Sequence, residues 1–174
     1  MRPASSPEDF LADPYGRYFA GRRTAMFAHS PELLGLMSWG SPDVDDVREL
    51  LRLAEIGVGP NAPPHKFIVD LRALEFIDPR TFMQFVEYTR KHGAALKEKI
   101  VKQVQIRPPG VIGAIIAGFG QVARLSYPER VFGDVGEAID WLGLDPAMGA
   151  DSDLRAGVDS RRRQRHRPAG APGA

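Results

Sequence analysis

The sequence predicts a single α/β domain with a mixed, mostly parallel sheet flanked by helices. Three observations support this prediction. Short apolar stretches with strand character alternate with stretches of helical periodicity, in the order β-β-α-β-α-β-α-β-α. The hydrophobic fraction of 43% is typical of a globular protein with one core. The longest apolar run, residues 111–119, is too short to cross a bilayer, so no membrane span is expected.

The chain of 174 residues divides into three parts by composition. Residues 1–23 mix Pro, Gly and Arg with several aromatic side chains, and we expect a flexible N-terminal arm there. Residues 24–145 are expected to form the domain. Residues 146–174 lack apolar periodicity and are rich in Gly, Ala, Asp, Arg and Pro, which predicts a disordered, Arg-rich tail.

The domain is expected to begin with a β-hairpin and a helix. Residues 24–29 and 34–39 are apolar runs separated by Ser30-Pro31-Glu32, and they predict two antiparallel strands at one edge of the sheet. Ser41-Pro42 then favours a helix start, with aspartates in the first turn and apolar residues at helical spacing to about Ile56.

A strand, a long helix and a second strand follow. Residues 66–71 form the clearest candidate for a buried strand. Asp78-Pro79 has the residue types of a helix N-cap and first turn, and the apolar spacing behind it predicts a helix of about 20 residues. Residues 101–107 alternate as a strand, with Val104 and Ile106 on one face.

The last third of the domain predicts a helix, a strand and a final helix. Pro108-Pro109 opens a helix over residues 110–125, and residues 130–132 form a short strand. Asp134 and Glu137 have the spacing of a capping box, which starts a helix ending at about Gly143.

The element order and the segment 67–78, Phe-Ile-Val-Asp-Leu-Arg-Ala-Leu-Glu-Phe-Ile-Asp, resemble the STAS domain of anti-sigma-factor antagonists. That family carries Asp-Ser-Ser-Gly at this helix start, and a partner kinase phosphorylates the second Ser. The matching residues here are Asp78, Pro79, Arg80 and Thr81, so Arg80 replaces the phosphorylated Ser. The resemblance implies a partner-interaction site at Asp78, Arg80 and Thr81, without the kinase-controlled switch.

Residues 106–119, 127–132 and 138–142 are similar to STAS-like domains of bacterial regulators, some of which precede an AraC-type helix-turn-helix. This chain contains no helix-turn-helix pattern of its own. The resemblance therefore implies a bacterial regulatory or sensory module in the cytoplasm, acting through another regulatory protein. Two alternatives stay open: a part of an AraC-type DNA-binding regulator, and a domain that binds a small molecule or lipid.

Catalytic, metal and cofactor chemistry has no signature in the sequence. The chain has no cysteine, and its four histidines lack metal-ligand spacing. Glycines at 110, 113, 118 and 120 do not form a phosphate-binding motif, because no Gly-Lys-Ser/Thr or Gly-x-Gly-x-x-Gly pattern is present. They favour a close approach of helix and sheet, with an apolar pocket beside that helix as the alternative. We expect a protein that is not an enzyme and has no cofactor.

Charge is distributed unevenly along the chain. Residues 1–150 carry 17 basic and 19 acidic side chains, so the domain has no overall attraction to nucleic acid. Residues 151–174 carry six basic and three acidic side chains. This tail is the candidate for a weak, salt-sensitive nucleic-acid contact. Its candidate residues are Arg161, Arg162, Arg163, Arg165 and Arg167.

Overall fold

The computed structural model describes residues 1–145, which form one seven-stranded sheet with seven helices. The strands are β1 (Arg2–Pro3), β2 (Arg17–Ala20), β3 (Thr24–Ser30), β4 (Leu33–Gly40), β5 (His65–Leu74), β6 (Ile100–Ile106) and β7 (Glu129–Phe132). The helices are α1 (Pro7–Ala12), α2 (Val44–Ala54), α3 (Pro79–Lys91), α4 (Gly93–Lys99), α5 (Gly110–Ala117), α6 (Phe119–Ala123) and α7 (Val135–Leu142). The predicted α/β class, with a mixed and mostly parallel sheet, is confirmed.

The strands lie in the sheet in the same order as in the sequence, β1 to β7. Strands β2, β3 and β4 pair antiparallel, whereas β4, β5, β6 and β7 pair parallel and β1 pairs parallel with β2. Each of the three parallel crossovers, from β4 to β7, therefore steps one strand in the same direction. Because such crossovers are right-handed in nearly all proteins, their helices fall on one face of the sheet.

Helices α2, α3 and α6 pack together on this face, as the contacts between α2 and α3 and between α3 and α6 show. Helix α7 follows the last strand and packs against β6 and β7, where Val104, Ile106, Ala138 and Leu142 form a separate apolar cluster. In the described part of the chain, the sheet thus has a broad layer of helices on one side and a single helix, α7, on the other.

The residues expected as a flexible arm are instead part of the sheet and its core. Strand β1 pairs with β2, and β2 pairs with β3. Phe10 of α1 is completely buried, and Ser6 caps this helix by accepting a hydrogen bond from the amide of Asp9. The hairpin β3–β4 is consequently interior to the sheet and not its edge. Phe10 and Tyr18 of the arm are core residues, whereas Tyr15 is exposed.

Two helices expected to be continuous are each divided into two. The helix after Asp78 breaks at His92, which ends α3 and precedes the glycine that starts α4. The helix after Pro109 breaks at Gly118, between α5 and α6, and ends at Arg124 in a left-handed conformation with φ 57°. Glycines, with their low helix propensity, lie at both breaks. The predicted tail, residues 146–174, lies outside the described residues.

Candidate functional site

A cavity of about 120 Å³ lies between the sheet and the layer of α2, α3 and α6. Its floor consists of alternate residues of β4, β5 and β6, because side chains of a strand point to opposite faces in turn. Most of the lining is apolar: Leu36, Leu51, Ala54, Gly57, Val58, Phe67, Val69, Leu71, Leu74, Ile77, Phe82, Phe85, Leu96, Ile100, Ile116 and Phe119. The remaining lining residues are polar or aromatic with a polar group: Ser38, His65, Tyr88, Thr89, Gln103, Gln105 and Tyr127.

Helix α3 provides the aromatic wall of the cavity. Phe82, Phe85 and Tyr88 are spaced by three residues and therefore lie on one face of the helix. Phe82 contacts Phe119 of α6 edge to face, with ring centroids 5.7 Å apart. This contact joins the two helices above the sheet and fixes one side of the cavity.

A buried amide pair forms the polar end of the cavity. Gln103 and Gln105 of β6 are only 5% and 3% exposed, and both donate from their side-chain Nε2 to Oε1 of Glu129. Tyr127 donates its hydroxyl to Oε1 of Gln103 over 3.4 Å. Burial raises the pKa of the Glu129 carboxyl, because the charged form loses hydration there. A Cβ atom on Gly120 would lie 2.5 Å from Oε2 of Glu129, so a side chain at 120 would displace this carboxyl.

The hydroxyl oxygen of Tyr88 is shut off from solvent and has no hydrogen-bond partner among residues 1–145. Its ring stacks on His92 at a centroid separation of 4.4 Å, and Nε2 of His92 lies 3.3 Å from a carboxylate oxygen of Glu55. Burial also raises the pKa of Tyr88, which keeps this hydroxyl protonated. Tyr88 therefore lines the cavity, while its uncharged hydroxyl is buried and unpaired within residues 1–145.

No Asp, Glu, Lys or Arg side chain of the described range lines the cavity. The one titratable imidazole in the lining is His65, which is 2% exposed and whose pKa burial lowers. Its Nδ1 lies 3.0 Å from the carbonyl oxygen of Pro63. The cavity is consequently an uncharged environment with a few polar groups at one end.

Helix α5 borders the cavity and exposes an apolar outer side. Ile116 lines the cavity, whereas Val111 and Ile115 of the same helix are 77% and 45% exposed. Gly113 is buried against the backbone of Pro108, where a Cβ atom would lie 2.0 Å from the carbonyl oxygen. Gly113 thus packs against the segment before its own helix and not against the sheet, so it does not show the expected approach of helix and sheet. The adjacent apolar pocket is present, since Ile116 lines the cavity.

The predicted partner site lies at the N-terminus of α3. Asp78 caps the helix, since its side chain accepts from the amides of Arg80 and Thr81. The Thr81 side chain is completely buried and its hydroxyl also donates to Asp78, which lowers the pKa of the Asp78 carboxyl. Arg80 is exposed. The structure thus gives Asp78 and Thr81 a capping role and leaves Arg80 as the member of the site that faces solvent.

The remaining candidate groups do not converge on a second site. The arginines from 161 to 167 lie outside the described residues. In the part of the chain that the structure describes, no group of three His, Cys, Asp or Glu residues could hold a metal ion. None of the helices in residues 1–145 is long and apolar enough to span a membrane. Asp70 is paired with Arg72 of the same strand, on the sheet face away from the cavity.

The polar residues of the cavity were missed by sequence reasoning, although β6 contained a signal. The predicted apolar face of this strand consists of Val104 and Ile106. Gln103 and Gln105 therefore lie on the opposite face of the strand. A parallel strand with neighbours on both sides is covered on both faces. Two glutamines at alternate positions of such a strand therefore indicate a buried polar site. Tyr88 and Tyr127 carry no comparable signal, because tyrosines are common in ordinary cores.

Comparisons with known proteins bear on the fold. No family model and no curated protein matches this chain. One solved structure with a similar fold is that of an uncharacterized protein of the DUF3478 family from Shewanella loihica PV-4, described as having a SpoIIAA-like fold. The two chains are 17% identical with a TM-score of 0.53, and the match covers 71% of this chain and 97% of the other. The STAS-like fold suggested by the residues is thereby supported at the level of architecture.

Proposed function

We propose that this chain is a non-catalytic sensory module that takes a small apolar molecule into the cavity and signals its presence to a protein partner. The observation that carries the proposal is the cavity itself, which lies between the sheet and the helices on one of its faces. Ligand sites in proteins are typically concave and apolar with a few polar groups, which describes this lining. The proposal unites the expected regulatory function with the small-molecule alternative.

The size of the cavity suits a small ligand. An engineered cavity of about 150 Å³, slightly larger than this one, binds benzene in another protein.

Helix α3 connects the cavity with the proposed partner surface. It contributes Phe82, Phe85 and Tyr88 to the cavity wall, and it begins next to exposed Arg80. A ligand that fills the space beneath the helix would change the preferred position or mobility of its N-terminus. The fixed positive charge of Arg80 suits an acidic patch on a partner and needs no phosphorylation.

The cavity is tested by titrating benzene into isotopically labelled full-length protein and following amide shifts by NMR. We expect shifts concentrated in β5 and α3. Val69→Phe, which adds a ring to the cavity floor, should abolish them. Val101→Phe makes the same change at a position that is 49% exposed and outside the cavity, and it should leave binding intact. Shifts that are unaffected by Val69→Phe would contradict the proposal.

The partner surface is tested with Arg80→Glu. We expect capture of an acidic regulatory partner to weaken by about 1–3 kcal/mol, since a charge-assisted contact is replaced by repulsion. Circular dichroism should show an unchanged fold, because the residue is exposed and Glu is favourable in a first helical turn. Equal capture by both proteins would remove this helix start from the interaction.

A link to an AraC-type helix-turn-helix, a cytoplasmic location and nucleic-acid contact by the arginine-rich tail remain predictions from the sequence. A protein without residues 150–174 tests whether nucleic-acid binding belongs to the tail and ligand binding to the domain. The shortened protein should bind benzene unchanged, and any salt-sensitive affinity for nucleic acid should be lost with the tail.

A further inference from the structure

We infer that helices α5 and α6 dock this protein on an anionic lipid surface, with the outer side of α5 in contact with acyl chains and an arginine near the headgroups at each end of the segment. Helix α5 lies on the surface of the described domain, yet it has the composition of a buried helix. A lipid surface at α5 would bind whether or not the cavity is occupied.

The outer side of α5 is apolar and exposed. No side chain in residues 108–120 has a hydrogen-bonding group. The inner side of the helix is explained by the fold, since Ile116 is 5% exposed and lines the cavity. Val111 and Ile115 are 77% and 45% exposed, and they lie one turn apart on the same face. Val122 of α6 is also 45% exposed. A helix that is apolar on all sides is ordinarily buried in a core or in a membrane.

The longer helices on the same face of the sheet differ from α5 on their outer sides. Helix α2 exposes Asp45 and Arg48. Helix α3 exposes Arg80 and Glu87, and Met83 is its single exposed large apolar residue. The apolar outer side of α5 is thus a local feature, and contiguous exposed apolar surface of this kind marks an interaction site.

The charge of the segment complements an anionic membrane. Residues 99–128, which include α5 and α6, carry four basic side chains and no acidic one. Arg107 precedes the uncharged stretch, and exposed Arg124 follows it. Anionic headgroups attract arginines that flank an apolar surface, and the apolar side chains between them then enter the acyl region.

The lack of polar side chains favours a lipid surface over a protein partner. Protein interfaces contain about one hydrogen bond per 100–200 Å², and residues 108–120 offer no side-chain donor or acceptor for one. Acyl chains need no such partner. Because α5 has only eight residues, it is too short to cross a bilayer and would lie in the plane of the surface.

A fluorescent label at a single position tests the contact, because the chain has no cysteine of its own. Full-length Ile115→Cys labelled with NBD is mixed with vesicles of equimolar phosphatidylglycerol and phosphatidylcholine. We expect the emission to increase about twofold or more and to shift to shorter wavelength, since the label leaves water for acyl chains. The same label on Glu137→Cys, an exposed site of α7 on the other face of the sheet, should not respond. An equal response at both sites would overturn the inference, and no response at Ile115→Cys would overturn it in favour of a protein partner.

Vesicle sedimentation measures the contribution of the apolar side chains. The double variant Val111→Ser/Ile115→Ser should bind the same vesicles about fivefold or more weakly than the original protein, because it removes exposed apolar area from α5. Val101→Ser removes a valine of β6 that is 49% exposed, and it should change binding less than about twofold. Circular dichroism controls for folding of both variants.

The arginines from 161 to 167 also attract anionic vesicles, so binding by the tail is a separate outcome. Binding that the double variant leaves unchanged would assign the attraction to the tail and overturn the inference. Binding to pure phosphatidylcholine as strong as binding to the mixture would overturn the assignment to an anionic surface. Since no cavity ligand is added, these results are independent of whether the cavity takes benzene.

Discussion

The two faces of strand β6 are equally buried but carry side chains of different polarity. Toward α7, Val104 and Ile106 are buried in a cluster of aliphatic side chains. Toward α3 and α6, Gln103 and Gln105 are just as buried but face a cavity and a carboxyl group. Polar residues on the second face are therefore not explained by contact with water. The difference shows that this fold packs tightly where one helix covers the sheet, and that the cavity is specific to the other side.

The sequential strand order explains why the two faces differ. The crossovers from β4 to β7 bring their helices to the same face. Helix α3 contacts both α2 and α6, so the three helices form a continuous layer. The cavity lies between this layer and the strands. Within residues 1–145, the main contacts of helix α7 are with strands and not with helices, since it lies directly on β6 and β7.

The largest expected effect comes from placing a polar residue on the apolar face of β6, compared with an apolar residue on its polar face. Ile106→Gln buries an amide without a partner beneath α7, and we expect a loss of about 3–5 kcal/mol in unfolding free energy. Gln105→Leu removes one of two donors to Glu129 and should cost about 1–2 kcal/mol, because Gln103 remains. Urea unfolding measures both variants. Equal losses would show that the faces do not differ in tolerance for polar groups.

A matched alanine pair compares the packing directly. Ala138→Leu adds volume beneath α7, where the residue is fully buried, and should destabilise the protein by about 1–3 kcal/mol. Ala54→Leu makes the same change on α2 at the cavity wall and should be neutral or stabilising, because it fills existing space. Thermal unfolding of both variants at one pH provides the comparison. A comparable loss from Ala54→Leu would show that the cavity cannot accept added atoms.

The smallest expected effect concerns pH and the carboxyl at the amide end. Because burial raises the folded-state pKa of Glu129, its contribution to stability is complete below the ordinary glutamate value of 4.5 and decreases as pH rises through the raised value. Glu129→Gln stays neutral and should lack this decrease. The difference in unfolding free energy between the two proteins should thus shift in favour of the variant as pH increases above 4.5. A difference that stays constant from pH 4 to pH 7 would contradict this.

The sequence predicted the alternation of elements from β3 to α7 because their apolar periodicity and helix starts are local signals. Asp78-Pro79 is one example, and the structure confirms Asp78 as the N-cap of α3. The role of residues 1–23 could not be obtained in this way. Strands β1 and β2 have only two and four residues, and their pairing with β3 depends on the tertiary fold.

The candidate site was predictable only in part. An apolar pocket beside the helix at Gly110 was one alternative from sequence, and Ile116 of that helix lines the cavity. The burial of the unpaired hydroxyl of Tyr88 depends on tertiary packing, which no spacing along the chain encodes. The same applies to Thr81, whose burial follows from its hydrogen bond to Asp78 and its position against the core.

The most direct test of the cavity's function is to identify the compounds that copurify with the protein from cells. Full-length protein and the Val69→Phe variant would be purified without detergent or organic solvent, and bound compounds would be extracted and quantified by mass spectrometry. The account predicts a small apolar compound in the original protein, and its loss from Val69→Phe. Equal amounts of the same compounds in both proteins, or none in the original protein, would contradict it.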